Sequence, residues 1–267
     1  MSSPLFSIIT CTLNSADWID ESIHSVLCQR DVSIDYVFVD GGSVDGTLEK
    51  IRAIPREITL IENCRSGISA AMNAGIAAAR GDIVAHLHSD DFYLHPEVLL
   101  NVAQGFASSG CRWLFGRTAR AINGQLLAEN YAAPRYSRRR LLNGNFIPHP
   151  ATFVARSLFQ ETGGFDTRLR YAMDYDLWLR MSTISEPLQI NTALTAFREH
   201  PGSLSTRDRI VAMKEDLEVR LNHTGARPVQ RLLHHARFHV RRRRALRQIR
   251  SEQNIDKLTS NRSLNNA

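Results

Sequence analysis

The stretch GDIVAHLHSDD, residues 81–91, decides the fold. Ile83–Leu87 is a short apolar run, entered through a turn at Gly81 and stopped abruptly by His88, Ser89, Asp90 and Asp91. An apolar run of that length bounded by turn residues reads as a strand. Working back toward the N-terminus, the same grammar repeats. Leu5–Thr10 reads as a buried strand, and Asn14 or Ser15 can cap a helix that turns Ile19, Ile23, Val26 and Leu27 inward. Tyr36–Val39 is a second strand, ending in Asp40, Gly41, Gly42 and Ser43, with a helix from about Asp45 to Ile54. Ile58–Ile61 is a third strand and Gly67–Ala79 a helix of small residues. Beyond residue 91 the next helix starts near Pro96, a favoured first-turn residue. Strands separated by helices of this length predict βαβ units, a parallel sheet and an α/β fold.

The second half follows another pattern. Arg112–Arg117 and Gln125–Glu129 flank Asn123-Gly124, a strong hairpin signal. A basic loop with Arg138, Arg139 and Arg140 follows, then a strand at Ala151–Ala155 and a break at Gly163-Gly164. Asp174–Met181 reads as a helix, Leu188–Phe197 as a last strand, and residues 207–222 as a charged amphipathic helix.

In an open parallel sheet, ligands bind at the carboxyl ends of the strands. Thr12 and Asn14, Asp40–Ser43, and Asp90 with Asp91 all stand at such ends. A pocket that mixes hydrogen-bonding groups with carboxylates suits a base or ribose and a divalent cation. Adjacent carboxylates after an apolar strand are costly unless solvated, paired or bound to a metal. Mg²⁺ or Mn²⁺ takes oxygen ligands and often uses one or two carboxylates with substrate phosphates. As a rival reading, the pair is a solvated turn and helix cap.

These motifs together resemble the family 2 glycosyltransferases of the GT-A fold. The resemblance runs in order over residues 5–205, through FSIIT (6–10) and Asn14, SVLCQ (25–29), VDGGSVDGT (39–47), GISAAMNAGI (67–76), GDIVAHLHSDD (81–91) and DYDLWLR (174–180). It implies a Rossmann-like mixed sheet flanked by helices. It also implies sugar transfer from a nucleotide-diphosphate-sugar to an acceptor hydroxyl with inversion. A catalytic domain over residues 1–205 is expected, with a nucleotide half at 1–100 and an acceptor half at 101–205, followed by a helical extension at 206–267.

The resemblance further implies roles for matching positions. Thr12, Asn14 and Asp40 would line the nucleotide site, Asp40 toward the base. Asp90 would meet the ribose and Asp91 the Mn²⁺ or Mg²⁺ ion with its diphosphate. Asp174 would be the general base, taking the acceptor proton on the face opposite the leaving group. Asp176 is a rival base, with helix first-turn electrostatics as its alternative role. His149, in HPATF (149–153), would face the donor sugar and acceptor, with a turn entering a strand as the alternative, and His200, in the Arg-x-His motif Arg198-Glu199-His200, would contact metal or phosphate, with a surface-loop histidine as the alternative. The pattern is broken at Arg65, where many relatives carry an acid, at Ser69-Ala70, where they carry Tyr-Asp, and at the leading position of the acidic motif, held here by His88 or Ser89. Arg65 reads as a diphosphate contact or a surface residue, and His88 as a sugar or metal contact or a structural histidine. These departures leave the donor open.

The formal net charge of +6 over 267 residues is concentrated in one place. Residues 227–250 hold nine arginines and no acid, with Leu232, Leu233, Ala236 and Val240 at helical spacing. A basic amphipathic helix reads as a membrane-surface element drawn to anionic lipid, with a plain solvated helix as the alternative. Lipid-linked saccharide acceptors, frequent in bacterial surface-polysaccharide assembly, would give such a tail a purpose. Nucleic acid is not an expected partner, because no aromatic platform interleaves the arginines. The four cysteines form no CxxC pair, which fits a reducing compartment. The start lacks the basic, long apolar pattern of a signal peptide, and no stretch approaches membrane-span length. The expected location is the cytoplasm, with the tail at the inner face of the plasma membrane. Three other classes fit these residues less well. A sugar nucleotidyltransferase would want a glycine-rich phosphate loop where Cys11–Asn14 stand, and a dinucleotide enzyme a GxGxxG after the strand. A non-catalytic membrane or nucleic-acid adaptor would have no use for Asp91 and Asp174.

Overall fold

The computed structural model describes residues 5–122, 124–127, 133–199 and 208–264, with side chains described as far as residue 248. The strands are β1 (Leu5–Thr12), β2 (Ser33–Asp40), β3 (Thr59–Ile61), β4 (Ile83–His86), β5 (Phe92–Tyr93), β6 (Trp113–Ile122), β7 (Gln125–Leu127), β8 (Thr152–Ala155) and β9 (Leu188–Glu199). The helices are α1 (Ile19–Leu27), α2 (Thr47–Arg52), α3 (Ile68–Ala78), α4 (Val98–Ser109), α5 (Arg138–Leu141), α6 (Arg156–Thr162), α7 (Met173–Met181), α8 (Arg209–Thr224) and α9 (Pro228–Leu264). A 3₁₀ turn, His149–Ala151, leads into β8.

One sheet runs in the order β3-β2-β1-β4-β8-β6-β9-β5, with β7 paired to β6. The β3-β2-β1-β4 half is parallel. β8 then joins antiparallel to both β4 and β6, while β9 lies parallel to β6 and antiparallel to β5. The sheet is therefore mixed, as the change of pattern after residue 110 predicts. The Asn123-Gly124 signal falls in the β6–β7 hairpin, which pairs Ile122 with Gln125.

Both faces of the parallel half are covered, which is why its strands are continuous apolar runs. Phe6 and Ile8 of β1 and Tyr36 and Phe38 of β2 face one core, with Ile19, Ile23 and Val26 of α1 and Val98 and Val102 of α4. Ile9, Cys11, Val37 and Val39 face the other, with Met72 of α3, Phe159 of α6 and Trp178 of α7. α3 lies close on β1 because Gly75 has no side chain. A Cβ there would stand 2.4 Å from Ile9 Cγ2. Within the sheet, buried Asp35 of β2 accepts the hydroxyl of Ser7 on β1 at 2.6 Å and is gripped by Arg80 at 2.9 and 3.0 Å. Burial alone would raise its proton affinity, but these partners outweigh it and hold it below the usual carboxylate range.

α8 and α9 pack as a pair, and α8 rests on α7. The expected boundary at residues 205 and 206 falls outside the described residues. No helix among the described residues is long and apolar enough to cross a membrane.

Candidate active site at the carboxyl ends of the strands

The β1–α1 and β2–α2 loops are laced into one rim. Asn14, with φ of 50°, accepts the Val44 N–H at 3.0 Å, and its own N–H donates to Ser43 Oγ at 2.8 Å. Asp45 accepts the Ala16 N–H at 2.9 Å, and Thr47 accepts the Ser15 N–H at 2.9 Å. Asp40 is fully buried at the foot of the rim. Its Oδ2 accepts the N–H groups of Gly42 and Ser43 at 2.7 and 2.9 Å, and its Oδ1 accepts the Ser43 hydroxyl. This carboxylate thus builds the turn.

Beside the rim lies a cavity of about 760 Å³ that reaches Thr12, Gly41, Arg65 and Ser69 from one side and Arg168 and Arg170 from the other. Three guanidinium-bearing residues at one cavity suit an anionic ligand. Arg65 lies flat over the turn. A Cβ on Gly42 would meet its Nε at 2.9 Å, and φ of +99° at that residue also demands glycine. Thr12 is buried, and its hydroxyl finds no hydrogen-bond partner among the described residues. Thr12 and Arg65 therefore share the cavity, while Asn14 braces its rim.

The acidic motif is met by β9. Pairing of β5 with β9 sets Phe92 opposite Ala196 and so brings Arg198 alongside Asp91. The Arg198 N–H donates to Asp91 Oδ1 at 3.1 Å, and its guanidinium donates to the Asp90 carbonyl at 3.1 Å and to Glu21. That guanidinium also lies 4.8 Å from the Trp18 ring centre and 5.4 Å from that of Phe92. Asp91 is buried, and burial beside the Asp90 carboxylate holds its proton affinity well above the ordinary range despite Arg198. Among the described residues no group of three or more His, Cys, Asp or Glu side chains is arranged to hold a metal ion. His200 lies outside them. Two neighbouring carboxylates, one of them buried, still form a donor set that suits a hard cation completed by phosphate oxygens.

His88 and His149 come together. Their rings stack at 5.4 Å, and His86 meets His149 edge-on at 5.5 Å. Phe165 and Trp178 close the cluster at 5.8 Å from His149. Burial, then mutual repulsion, keeps His86 and His149 neutral, with His86 pushed down to about 3.

Asp174 sits in the first turn of α7, half-buried. Its Oδ1 accepts the Tyr175 N–H at 2.6 Å and its Oδ2 the Asn145 amide at 3.1 Å. Burial raises its proton affinity, and the charge of Asp216 adds to this against those two hydrogen bonds, leaving it at about 7. Asp176 faces other partners. It pairs with Arg180 at 2.8 Å and His223 at 2.9 Å. Burial pushes it up, but those partners more than offset this and hold it below the usual carboxylate range.

The family profile of glycosyl transferase family 2 matches residues 7–162, more than half of the chain. The chain belongs to glycosyl transferase family 2. Its relatives in this family include a chondroitin synthase of Pasteurella multocida, 30% identical over 194 residues. That match covers 70% of this chain but only 20% of the synthase. An uncharacterised glycosyltransferase of Mycobacterium tuberculosis is 29% identical over 213 residues, covering 73% of this chain and 76% of that one. The fold is that of Staphylococcus aureus TarS 1–349, solved in complex with UDP-GlcNAc (TM-score 0.66, 19% identity, 80% of this chain and 66% of that one). It is also that of a Pyrobaculum calidifontis mannosyltransferase in complex with GDP-Man and Mn²⁺ (TM-score 0.58, 20% identity, 82% and 63%). The GT-A expectation for this family 2 member therefore holds.

Several residues near these groups escaped sequence reasoning. Arg168 and Arg170 reach the cavity from a loop, and Ser69, read only as a departure, donates to the Leu169 carbonyl at 2.8 Å. Arg198 was visible only as the first residue of an Arg-x-His motif. Glu215 and Asp216 had no sequence signal, because their importance comes from where α8 docks.

Proposed function

We propose that the protein transfers a sugar from a nucleoside-diphosphate donor to an acceptor hydroxyl with inversion, Asp174 being the base. One observation carries this reading. Of two carboxylates on one helix, Asp176 is locked in ion pairs, whereas Asp174 is poised at about 7, where a general base works best at neutral pH. In the reaction the acceptor oxygen attacks the anomeric carbon as its proton passes to Asp174. The bond to the leaving phosphate oxygen breaks, and nucleoside diphosphate departs.

The 760 Å³ cavity, lined by Thr12 and Arg65, would take the nucleotide and its phosphates, with Asn14, Asp40 and Asp90 assigned to the nucleotide by family resemblance. His88 and His149 would border the donor sugar and acceptor. Asp91 and His200 would hold Mn²⁺ or Mg²⁺, with Asp90 adjacent to Asp91 in the chain. When bound there, the cation offsets negative charge on the leaving diphosphate. Residues 1–205 would then be the catalytic domain and 206–267 an extension. The acceptor would be a saccharide, lipid-linked in polysaccharide assembly, and the location the cytoplasmic face of the membrane.

The test is turnover of UDP-GlcNAc and GDP-mannose with Mn²⁺, read as nucleoside diphosphate released. Asp174→Asn should lower it at least 10²-fold with little change in donor affinity. Undiminished turnover in that variant would remove the assignment. The anomeric configuration of the product, read by NMR, tests inversion.

A further inference from the structure

α7 begins without a side-chain cap of its own. Its cap comes instead from α8, far along the chain. Glu215 Oε1 accepts three successive backbone N–H groups, from Arg170 at 2.9 Å, Tyr171 at 2.6 Å and Ala172 at 2.6 Å. The Tyr171 hydroxyl donates to Asp208, the residue before α8, at 2.7 Å. Ala172 is the N-cap residue, so one of these donors belongs to the helix start and two to the loop that leads into it, and a carboxylate there complements the helix dipole.

The other side of Asp174 is held from α8 as well. Asn145, which donates to Asp174 Oδ2, lies two residues from Asn143. The Asn143 carbonyl accepts a guanidinium N–H of Arg220 at 3.3 Å, and Arg220 is only 2% exposed. Arg237 of α9 donates to the Asn143 side chain. Thus both segments that touch the Asp174 carboxyl are pinned by the C-terminal helices.

We propose that Glu215 is a positioning residue for Asp174, holding the first turn of α7 in place, and that α8 is thereby a working part of the active site. The inference rests on Asp174 being the base. Asp216, the neighbour of Glu215, supplies the second half of the device. Its charge faces Asp174 and opposes ionisation there. Burial, with the charge of Glu215 added, raises the proton affinity of Asp216 above the usual carboxylate range, against Arg220 and Arg241, which favour its ionised form. Asn145 and the Tyr175 N–H, the remaining groups against Asp174, act in the opposite sense by favouring its ionised form.

The experiment is a ¹³C-carboxyl NMR titration of Asp174 in the full chain, which needs no substrate. In the wild type Asp174 should titrate near 7. Glu215→Ala frees the turn, admits water and should move the titration down by a unit or more. Glu215→Gln keeps a carbonyl acceptor for the three N–H groups and should leave it within half a unit. Asp216→Asn should also move it down. An unmoved titration in Glu215→Ala, or a Glu215→Gln shift as large as that of Glu215→Ala, overturns the proposal. If Glu215→Ala does not fold, Glu215→Gln and Asp216→Asn decide, and an unmoved Asp216→Asn overturns it. Turnover of UDP-GlcNAc and GDP-mannose by Asp174→Asn tests the base reading separately, so the two can fail independently.

Discussion

Asp174 and Asp176 stand two positions apart on α7, yet their surroundings drive them in opposite directions. The difference is partners, since Arg180 and His223 face only Asp176. The consequence reaches stability. Asp174 in the folded chain binds its proton up to about 7, whereas an unfolded aspartate releases it near 3.8. Between those values the folded state holds more protons, so this group's contribution to stability falls as pH rises through the window. Above 7 the native protein carries an ionised carboxylate in a place that disfavours it. Asp174→Asn should therefore be more stable than the wild type at pH 8, by on the order of 1–2 kcal/mol after allowance for partial exposure. That margin should shrink toward pH 4. Urea unfolding at both pH values measures it, and a variant less stable at pH 8 would refute the stated environment of Asp174. The same titration predicts that turnover falls about tenfold per pH unit below 7.

At the scale of elements, the strands were legible because both sides of the sheet are buried, and their apolar runs need no periodicity to be read. Parallel pairing of β1 with β2 and β4 then carries Thr12, Asp40 and the end of β4 to one edge without further information. What stayed hidden arises from pairings distant in sequence. Arg198 reaches Asp91 only because β5 pairs with β9, and Glu215 reaches Ala172 only because α8 docks on α7. Nothing in the local pattern around those residues announces such contacts. The packing of β4 against the 3₁₀ turn and α6 shows the same limit in its buried histidines. His86 is pushed down to about 3 by burial first and then by its neighbours, against about 6.5 unfolded. The unfolded chain then binds the extra proton, so stability contributed by His86 is intact above 6.5 and is lost as pH falls toward 3. Between pH 7 and 5 this removes about 2 kcal/mol. Asp174 changes in the opposite sense over that interval, so the wild-type profile alone hides both. His86→Leu should gain about 2 kcal/mol relative to the wild type on going from pH 7 to 5. Parallel urea titrations of the two proteins read that difference, and equal pH slopes would exclude a neutral His86.

For the whole molecule, the C-terminal helix α9 presents two apolar faces rather than one. His234, Phe238 and Ala245 are buried against the body. Val229, Leu232, Leu233 and Val240 fall on the opposite side, and Val229 and Leu232 are each 70% exposed. At about 100° per residue the exposed stripe centres half a turn from the buried one. Arg243, Arg244 and Arg247 continue the exposed side toward the C-terminus, all of them exposed. An outward apolar stripe followed by arginines matches an anionic membrane surface, with side chains entering the interface and guanidinium groups meeting phosphate. It does not suit a second copy of the same helix, whose arginines would repel these. Each arginine near such a surface contributes about 1 kcal/mol, so reversing three of them removes roughly 3 kcal/mol and changes partitioning by at least 10²-fold. The full chain should co-sediment with vesicles containing phosphatidylserine and release as salt rises from 0.05 to 0.5 M, because surface attraction is screened over that range. The triple variant Arg243→Glu, Arg244→Glu, Arg247→Glu should stay in the supernatant. Leu232→Ser with Leu233→Ser should weaken binding at every salt concentration, since burial of apolar side chains is not screened. Equal binding to uncharged phosphatidylcholine vesicles, or indifference of binding to the arginine reversals, would reject the membrane role. In that case the stripe would need another partner; where binding is lost as expected, retained turnover in both variants would show that the tail serves location rather than chemistry.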